Sequence, residues 1–306
     1  MKTDRNTAAA IGMAARECGY EDCGFLGLDA FAGYLEELEK RIHAFPASAA
    51  LYEPLKRFAY PARDDPWARS VLVCVRRYGR FRIPAGLDRY FGRYYLFETG
   101  LPYSKHAAMH AAFEEELSAL GVRAKRTETA ARRAAVRAGL GWIGCNNLFY
   151  TEAGSWVNID TWLLDRKMES DRGEAPSKCN GCRKCIAACP TGALSSPHMI
   201  DMARCVTWIN VNSHAPGAGC ASDFVYGCDI CQKVCPLNRG RWSEDADFPG
   251  MEEFASMFSL ERLFEENSRP FREMLLGKFG FIGPDDGWKW RVNALRSMSH
   301  GDAGRS

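Results

Sequence analysis

No run of eighteen apolar residues occurs in this 306-residue chain, so no segment is expected to span a membrane. The opening residues, Met1-Lys2-Thr3-Asp4-Arg5, begin an amphipathic stretch without the apolar core and cleavage site of a secretory signal. Excess charge is scarce too. Forty Lys and Arg against 38 Asp and Glu leave +2, so a nucleic-acid partner has to be argued from local patches. No repeat of solenoid length is visible. No Gly-x-Gly-x-x-Gly follows a predicted strand. The match in letters at Gly139, Gly141 and Gly144 follows a predicted helix, which leaves a dinucleotide fold unsupported. Hydrophobic and charged contents of 46% and 25% are ordinary globular values. Cysteine, by contrast, is plentiful: thirteen residues, most at metal-binding spacings, which fits a reducing cytoplasm.

The cysteines organise the chain. Cys179, Cys182, Cys185 and Cys189, followed by Pro190, stand at spacings of two, two and three intervening residues, the bacterial ferredoxin run. Its first three thiolates serve one 4Fe–4S cluster and its fourth serves the other cluster of a pair. Downstream, Cys228, Cys231 and Cys235-Pro236 form a second run without its leading cysteine, and Cys205 fills that gap. The expected ligand sets are Cys179, Cys182, Cys185 and Cys235 for one cluster, and Cys189, Cys205, Cys228 and Cys231 for the other. Structural zinc is the competing reading. It takes two separated Cys-x2-Cys pairs and leaves the tight third cysteine and the Cys-Pro of each run unexplained. Of the remaining cysteines, Cys18, Cys23, Cys74 and Cys220 read as buried small hydrophobes.

In order, the pattern predicts a helix over 6–18 with Asn6 as N-cap, a strand over 23–27, a helix over 31–44 and a buried strand over 70–75. Residues 76–97 interleave arginines (Arg76, Arg77, Arg80, Arg82, Arg89, Arg93) with aromatics. This suits phosphate contacts with ring stacking, or a loop whose aromatics anchor onto the core. A helix follows over 104–120, capped by Ser104 and Gly121. After it come a strand over 122–127 and a basic helix with Arg132, Arg133 and Arg137. That helix leads into Gly139-Leu140-Gly141-Trp142-Ile143-Gly144, whose glycines permit close approach of a ligand. A strand over 155–164 precedes a polar linker, 166–178. Short helices are expected over 259–266, 270–276 and 288–298, with a turn-rich loop over 280–287. Three parts emerge: 1–170, the cluster module 171–240, and a short helical segment 241–306. Paired clusters carry electrons, so the first part should hold an acceptor, cofactor or substrate.

The stretch 138–144, then Gly154-Ser155-Trp156, then the eight-cysteine pattern ending Tyr226-Gly227-Cys228-Asp229-Ile230-Cys231, resembles the epoxyqueuosine reductases, relatives of the reductive dehalogenases. The likeness covers roughly residues 10 to 240. It implies an α+β fold: a nitroreductase-like domain holding base-off cobalamin, then a ferredoxin-like module with two 4Fe–4S clusters, then a short helical tail. It further implies reduction of epoxyqueuosine to queuosine in tRNA by Co(I), with a ferredoxin or flavodoxin as electron donor. By resemblance the cofactor would lie near Tyr103, Gly139, Gly141, Trp142, Ile143, Gly144, Cys145 and Ser155. Lys125 stands where the family places an acidic proton donor, which leaves Glu128 or Tyr103 for that role. Of the family's Asp-Tyr-His only Tyr103 is kept, between Pro102 and Ser104. Cys145 stands where the family usually carries Lys, and its thiol reads as a cobalt ligand, a substrate-reactive group or an inert buried side chain. The family's C-terminal helical repeats are echoed by one helix, 290–296. Other readings open at this point are the same cofactors with a small-molecule acceptor, and a non-catalytic electron carrier or corrinoid-reactivating protein.

Overall fold

In the computed structural model the residues described are 2–98, 106–168, 172–212 and 222–264. An antiparallel sheet carries the first half, in the order β1-β2-β6-β3. Its strands are β1 (Asp22–Gly27), β2 (Ser70–Arg77), β3 (Ala124–Arg126) and β6 (Val157–Leu164). A separate hairpin of β4 (Trp142–Ile143) and β5 (Phe149–Tyr150) is inserted between β3 and β6. Helices α1 (Lys2–Glu17), α2 (Tyr34–Ala44), α3 (His106–Ala119) and α4 (Ala131–Arg137) belong to the same half.

The central strand explains the layering. Alternation along β2 sends Val71, Val73 and Val75 to one face and Leu72 and Cys74 to the other, and all five are buried. Both faces must therefore be covered. On one side, Ile11 and Ala14 of α1 and Phe113 and Leu117 of α3 pack on Leu72, Cys74 and Trp162. On the other, Ala130, Ala134, Ala135 and Ala138, on and beside α4, pack on Val71, Val73 and Leu163. Each Val, Leu, Ile or Phe side chain removed from water here stabilises the fold by about 1.5–3 kcal/mol. The result is α+β, as the sequence led us to expect.

Differences from the expected elements have local causes. The first helix begins at Lys2, so Asn6 lies inside it. The helix expected over 31–44 starts only at Tyr34, because Gly33 adopts φ +80° and separates it from a 3-10 turn, Leu28–Phe31. Strand β2 runs on to Arg77, since Arg76 is buried in an ion pair with Asp160 on the adjacent strand. The predicted cap Ser104 and the family tyrosine Tyr103 lie outside the described residues, as do Cys220, the helices over 270–276 and 288–298, and the 280–287 loop.

The second half consists of short elements: α5 (Lys184–Ala187), the hairpin β7 (Leu194–Ser196) and β8 (Met199–Ile200), α6 (Val206–Asn212), α7 (Ile230–Lys233), α8 (Met251–Met257) and α9 (Leu260–Phe264). The arginine-aromatic stretch joins it to the first half. Tyr78, Phe91 and Phe97 are buried with Trp156 in one core that also contains Val225, Tyr226, Phe248 and Phe254. The arginines meet acids from the second half: Arg80 with Asp245 at 3.4 Å, Arg82 with Asp247 at 3.5 Å and Arg89 with Asp223 at 2.7 Å. Of the two readings of this stretch, the anchoring one describes its aromatics.

Candidate functional site

The fold gathers the eight cluster-type cysteines into two groups. Cys179, Cys182, Cys185 and Cys235 surround a small cavity of about 20 Å³, together with Cys145, Asn146 and Tyr150 of the β4–β5 hairpin region. Cys182 is exposed there. Main-chain N–H groups of Gly181 and Cys145 point at the Cys179 sulfur and hold its thiol below the ordinary value, although burial works against them. Cys189, Cys205, Cys228 and Cys231 instead stand on the wall of a cavity of about 740 Å³. Burial pushes the Cys228 thiol up to about 12 and raises Cys231 and Cys205 as well. Iron would supply the positive charge that makes such sulfurs thiolates.

That large cavity lies between the two halves. Tyr34 of α2, with Tyr52 and Phe58 from the turns that follow it, forms one wall. Thr129, Arg132 and Val136, on and just before α4, form a second, and Ile143 and Asn147 near the hairpin close a third side. The thiols and Trp208 complete it. Apolar and aromatic side chains around a few polar groups are the usual lining of a cofactor-sized pocket.

Its cations differ in how they are held. Arg133 pairs with Glu37 and donates to the Ala32 carbonyl, and Arg137 pairs with Glu174 at 2.8 Å. Arg132 donates to the Asn147 carbonyl instead of a carboxylate. Arg132 is exposed and lines the cavity, and desolvation by the surrounding protein lowers its proton affinity. An arginine stays charged in any such setting. It offers an anion or polar group a donor within a poorly solvated chamber.

The residues expected around a cofactor separate into distinct places. Ile143 lines the large cavity. Gly141 and Gly144 serve the hairpin itself: a Cβ on Gly141 would stand 2.0 Å from the Tyr150 carbonyl, and one on Gly144 would stand 2.7 Å from the Tyr150 ring. Gly139 lies against Arg172 and Gly173. Trp142 is buried and stacked on Tyr150. Ser155 is clasped by the cluster module: Gln232 donates to its carbonyl at 2.9 Å and Asn238 to its hydroxyl at 2.9 Å, while its own N–H donates to Asn238. Cys145 sits with the first thiol group, its sulfur 3.4 Å from that of Cys179. The close approach the glycines permit is therefore of chain to chain.

Lys125 is exposed and pairs with Asp65 at 2.8 Å. Glu128 is exposed and pairs with Arg57 at 2.9 Å. The neighbours of that pair, Phe58 and Thr129, line the cavity, which sets Glu128 at its rim.

Tyr34, Tyr52 and Arg41 on the cavity wall carried no motif in the sequence. Tyr52 is recognisable only through distant contacts: its hydroxyl donates to the Ile200 carbonyl of the cluster module. Burial pushes that hydroxyl up to about 12. Nearby, the Ser48 hydroxyl donates to Asp201 at 2.6 Å.

A separate buried network occupies the other face of the sheet. Arg76 donates to Glu98 at 2.6 Å and to Asp160 at 2.9 Å, and His110 approaches Asp160 at 3.2 Å. Burial raises Glu98 to about 7 against the pull of Arg76. Although burial opposes it, His110 and Arg76 lower Asp160 to about 2.

Comparison with known proteins gives this geometry a context. Residues 178–238 match a family model described as a 4Fe-4S double cluster binding domain. The epoxyqueuosine reductase of Gloeobacter violaceus is 33% identical over 265 residues, covering 79% of this chain and 81% of that protein. A structure of epoxyqueuosine reductase from Bacillus subtilis superposes with a TM-score of 0.72 at 25% identity, covering 97% of this chain and 82% of that one. An epoxyqueuosine reductase solved with an epoxyqueuosine-modified tRNA stem loop shares the fold, with a TM-score of 0.72 at 24% identity.

Proposed function

The chain belongs to the epoxyqueuosine reductase family, and from that membership we propose that it reduces epoxyqueuosine to queuosine in tRNA, using two 4Fe–4S clusters and base-off cobalamin. The observation that carries the reading is the position of Cys189, Cys205, Cys228 and Cys231 on the wall of the large cavity. A cluster held there would deliver electrons directly to whatever fills the chamber.

The residues present fit cobalamin. The chamber has the volume and the apolar-aromatic lining of a large organic cofactor's site. Arg132 faces into it as a donor for amide or phosphate oxygens, and Tyr34 and Tyr52 offer flat apolar surface. When bound, cobalamin supplies a strongly reducing cobalt centre that the protein's own side chains cannot provide.

The chain's own groups have three tasks in this reading. The first thiol group receives electrons from a donor such as a ferredoxin or flavodoxin, and the second passes them to the cavity wall. Loss of the epoxide oxygen also needs a proton. Glu128, at the rim and held only by an exposed pair with Arg57, is the proposed source together with Tyr103. Exposed pairs of this type contribute at most about 1 kcal/mol, so substrate can displace Arg57 readily.

The test is anaerobic reconstitution followed by iron and cobalt analysis, and turnover of a tRNA stem loop carrying epoxyqueuosine. About eight irons, one base-off cobalamin per chain and conversion to queuosine are expected. Eight irons with neither cobalamin nor tRNA bound would replace this reading with an electron carrier. Should Glu128→Gln and Tyr103→Phe both turn over at the wild-type rate, the proton comes from elsewhere.

A further inference from the structure

We propose that Cys145 is a functional fifth sulfur of the first cluster's site: a hydrogen-bond donor to the Cys179 thiolate that raises this cluster's reduction potential. The proposal rests on the ligand sets given above and goes beyond them, because a 4Fe–4S cube needs only four thiolates.

Five thiols converge on the small cavity: Cys145, Cys179, Cys182, Cys185 and Cys235. Cys145 comes from a different part of the fold than the other four, from the turn between β4 and β5. It addresses Cys179 twice. Its main-chain N–H donates to the Cys179 sulfur at 3.4 Å, and its own sulfur lies 3.4 Å from the same atom. Once Cys179 binds iron it is a thiolate and can only accept. The proton in the sulfur–sulfur contact must then belong to Cys145.

The position is held firmly. Cys145 is buried, its carbonyl accepts from the His198 N–H at 3.1 Å, and the next residue, Asn146, donates to Tyr150 at 2.8 Å and to the Cys231 carbonyl at 3.2 Å. The main chain that carries the thiol is therefore fixed against both thiol groups.

The consequence follows from charge. Reduction adds an electron to a cluster that is already anionic, and a donor to a ligating sulfur stabilises the added charge. Cys145 accordingly favours the reduced state of the first cluster and leaves the second unaffected. This makes the more exposed cluster the easier one to fill from an outside donor.

The decisive measurement is a redox titration of the reconstituted full-length protein, followed by EPR and read without cobalamin or tRNA. It therefore stands whatever the substrate proves to be. In Cys145→Ala the midpoint of one cluster should move to a more negative value, the other should stay, and iron should remain at about eight per chain. Cys145→Ser keeps a stronger donor at the same place, so its midpoint should equal or exceed that of wild type. The proposal is overturned by unchanged midpoints in Cys145→Ala, by a serine variant that falls as the alanine variant does, or by equal shifts in both clusters. Loss of half the iron would overturn it too, since Cys145 would then be a ligand.

Discussion

The two thiol groups are built from the same spacing grammar and end in opposite surroundings. One encloses a volume of about 20 Å³ beside exposed chain, with Cys182 open to solvent. The other forms part of the wall of a chamber of about 740 Å³, where burial raises the thiols of Cys205, Cys228 and Cys231. The difference teaches direction. A group with a solvent-exposed member suits collection of electrons, and one that lines a chamber suits delivery. Nothing in either cysteine run encodes this; it arises from which half of the protein each run is pressed against.

The sharpest way to break the comparison is to delete each side in turn. Cys231→Ala should halve the iron from about eight to about four per chain and abolish turnover with every reductant. Cys182→Ala should lose the same iron and abolish turnover with a protein donor, while a small chemical reductant still drives the reaction through the second group. Iron analysis beside assays with both reductants checks this, and equal loss with both would remove the directional reading.

A smaller effect belongs to the rim. Glu128→Gln should slow turnover by about 10²-fold, the low end of what a positioned acid contributes, and leave the iron unchanged. Single-turnover measurement under anaerobic conditions would show it. Smaller again, with cobalamin in the chamber as proposed, Arg132→Ala removes a charged donor at a cost of about 1.5 kcal/mol, weakening cobalamin retention by about tenfold. Equilibrium titration of the reconstituted protein with cobalamin reads this directly.

A last effect, read as stability instead of turnover, lies on the far side of the sheet and tests whether the two faces are independent. Glu98 sits at about 7 in the folded protein, against an ordinary value of 4.5. The folded state therefore holds a proton that the unfolded chain releases earlier. Stability from this group is full below about pH 4.5 and is lost as pH rises through about 7. Thermal melts should show wild type losing ground to Glu98→Gln over that window, with iron content unaffected.

How much of this was legible depended on how local the signal was. Strand β2 could be read because burial on both faces forces an unbroken apolar run, and the cysteines because ligand geometry fixes their spacing. The Gly139–Gly144 segment was ambiguous. A glycine required by close approach looks the same whether the neighbour is a ligand or, as at Gly141, the carbonyl of Tyr150. The arginine-aromatic stretch was ambiguous for a similar reason, since its partners, Phe248 and Phe254 among them, lie far away in sequence. Tyr52 was invisible because what places it on the cavity is contact with Ile200, 148 residues on.

The clasp of Ser155 by Gln232 and Asn238 has a mechanical meaning. A buried set of hydrogen bonds joins the chain just before β6 to the segments on either side of Cys235. The sulfurs therefore do not ride on a tether that swings between docking positions. In the proposed relay nothing then has to move between the two groups, and its speed would be set by a fixed gap and an energy difference. Thickening the solvent with glycerol should slow the arrival of donor and tRNA and leave the transfer between the two groups untouched.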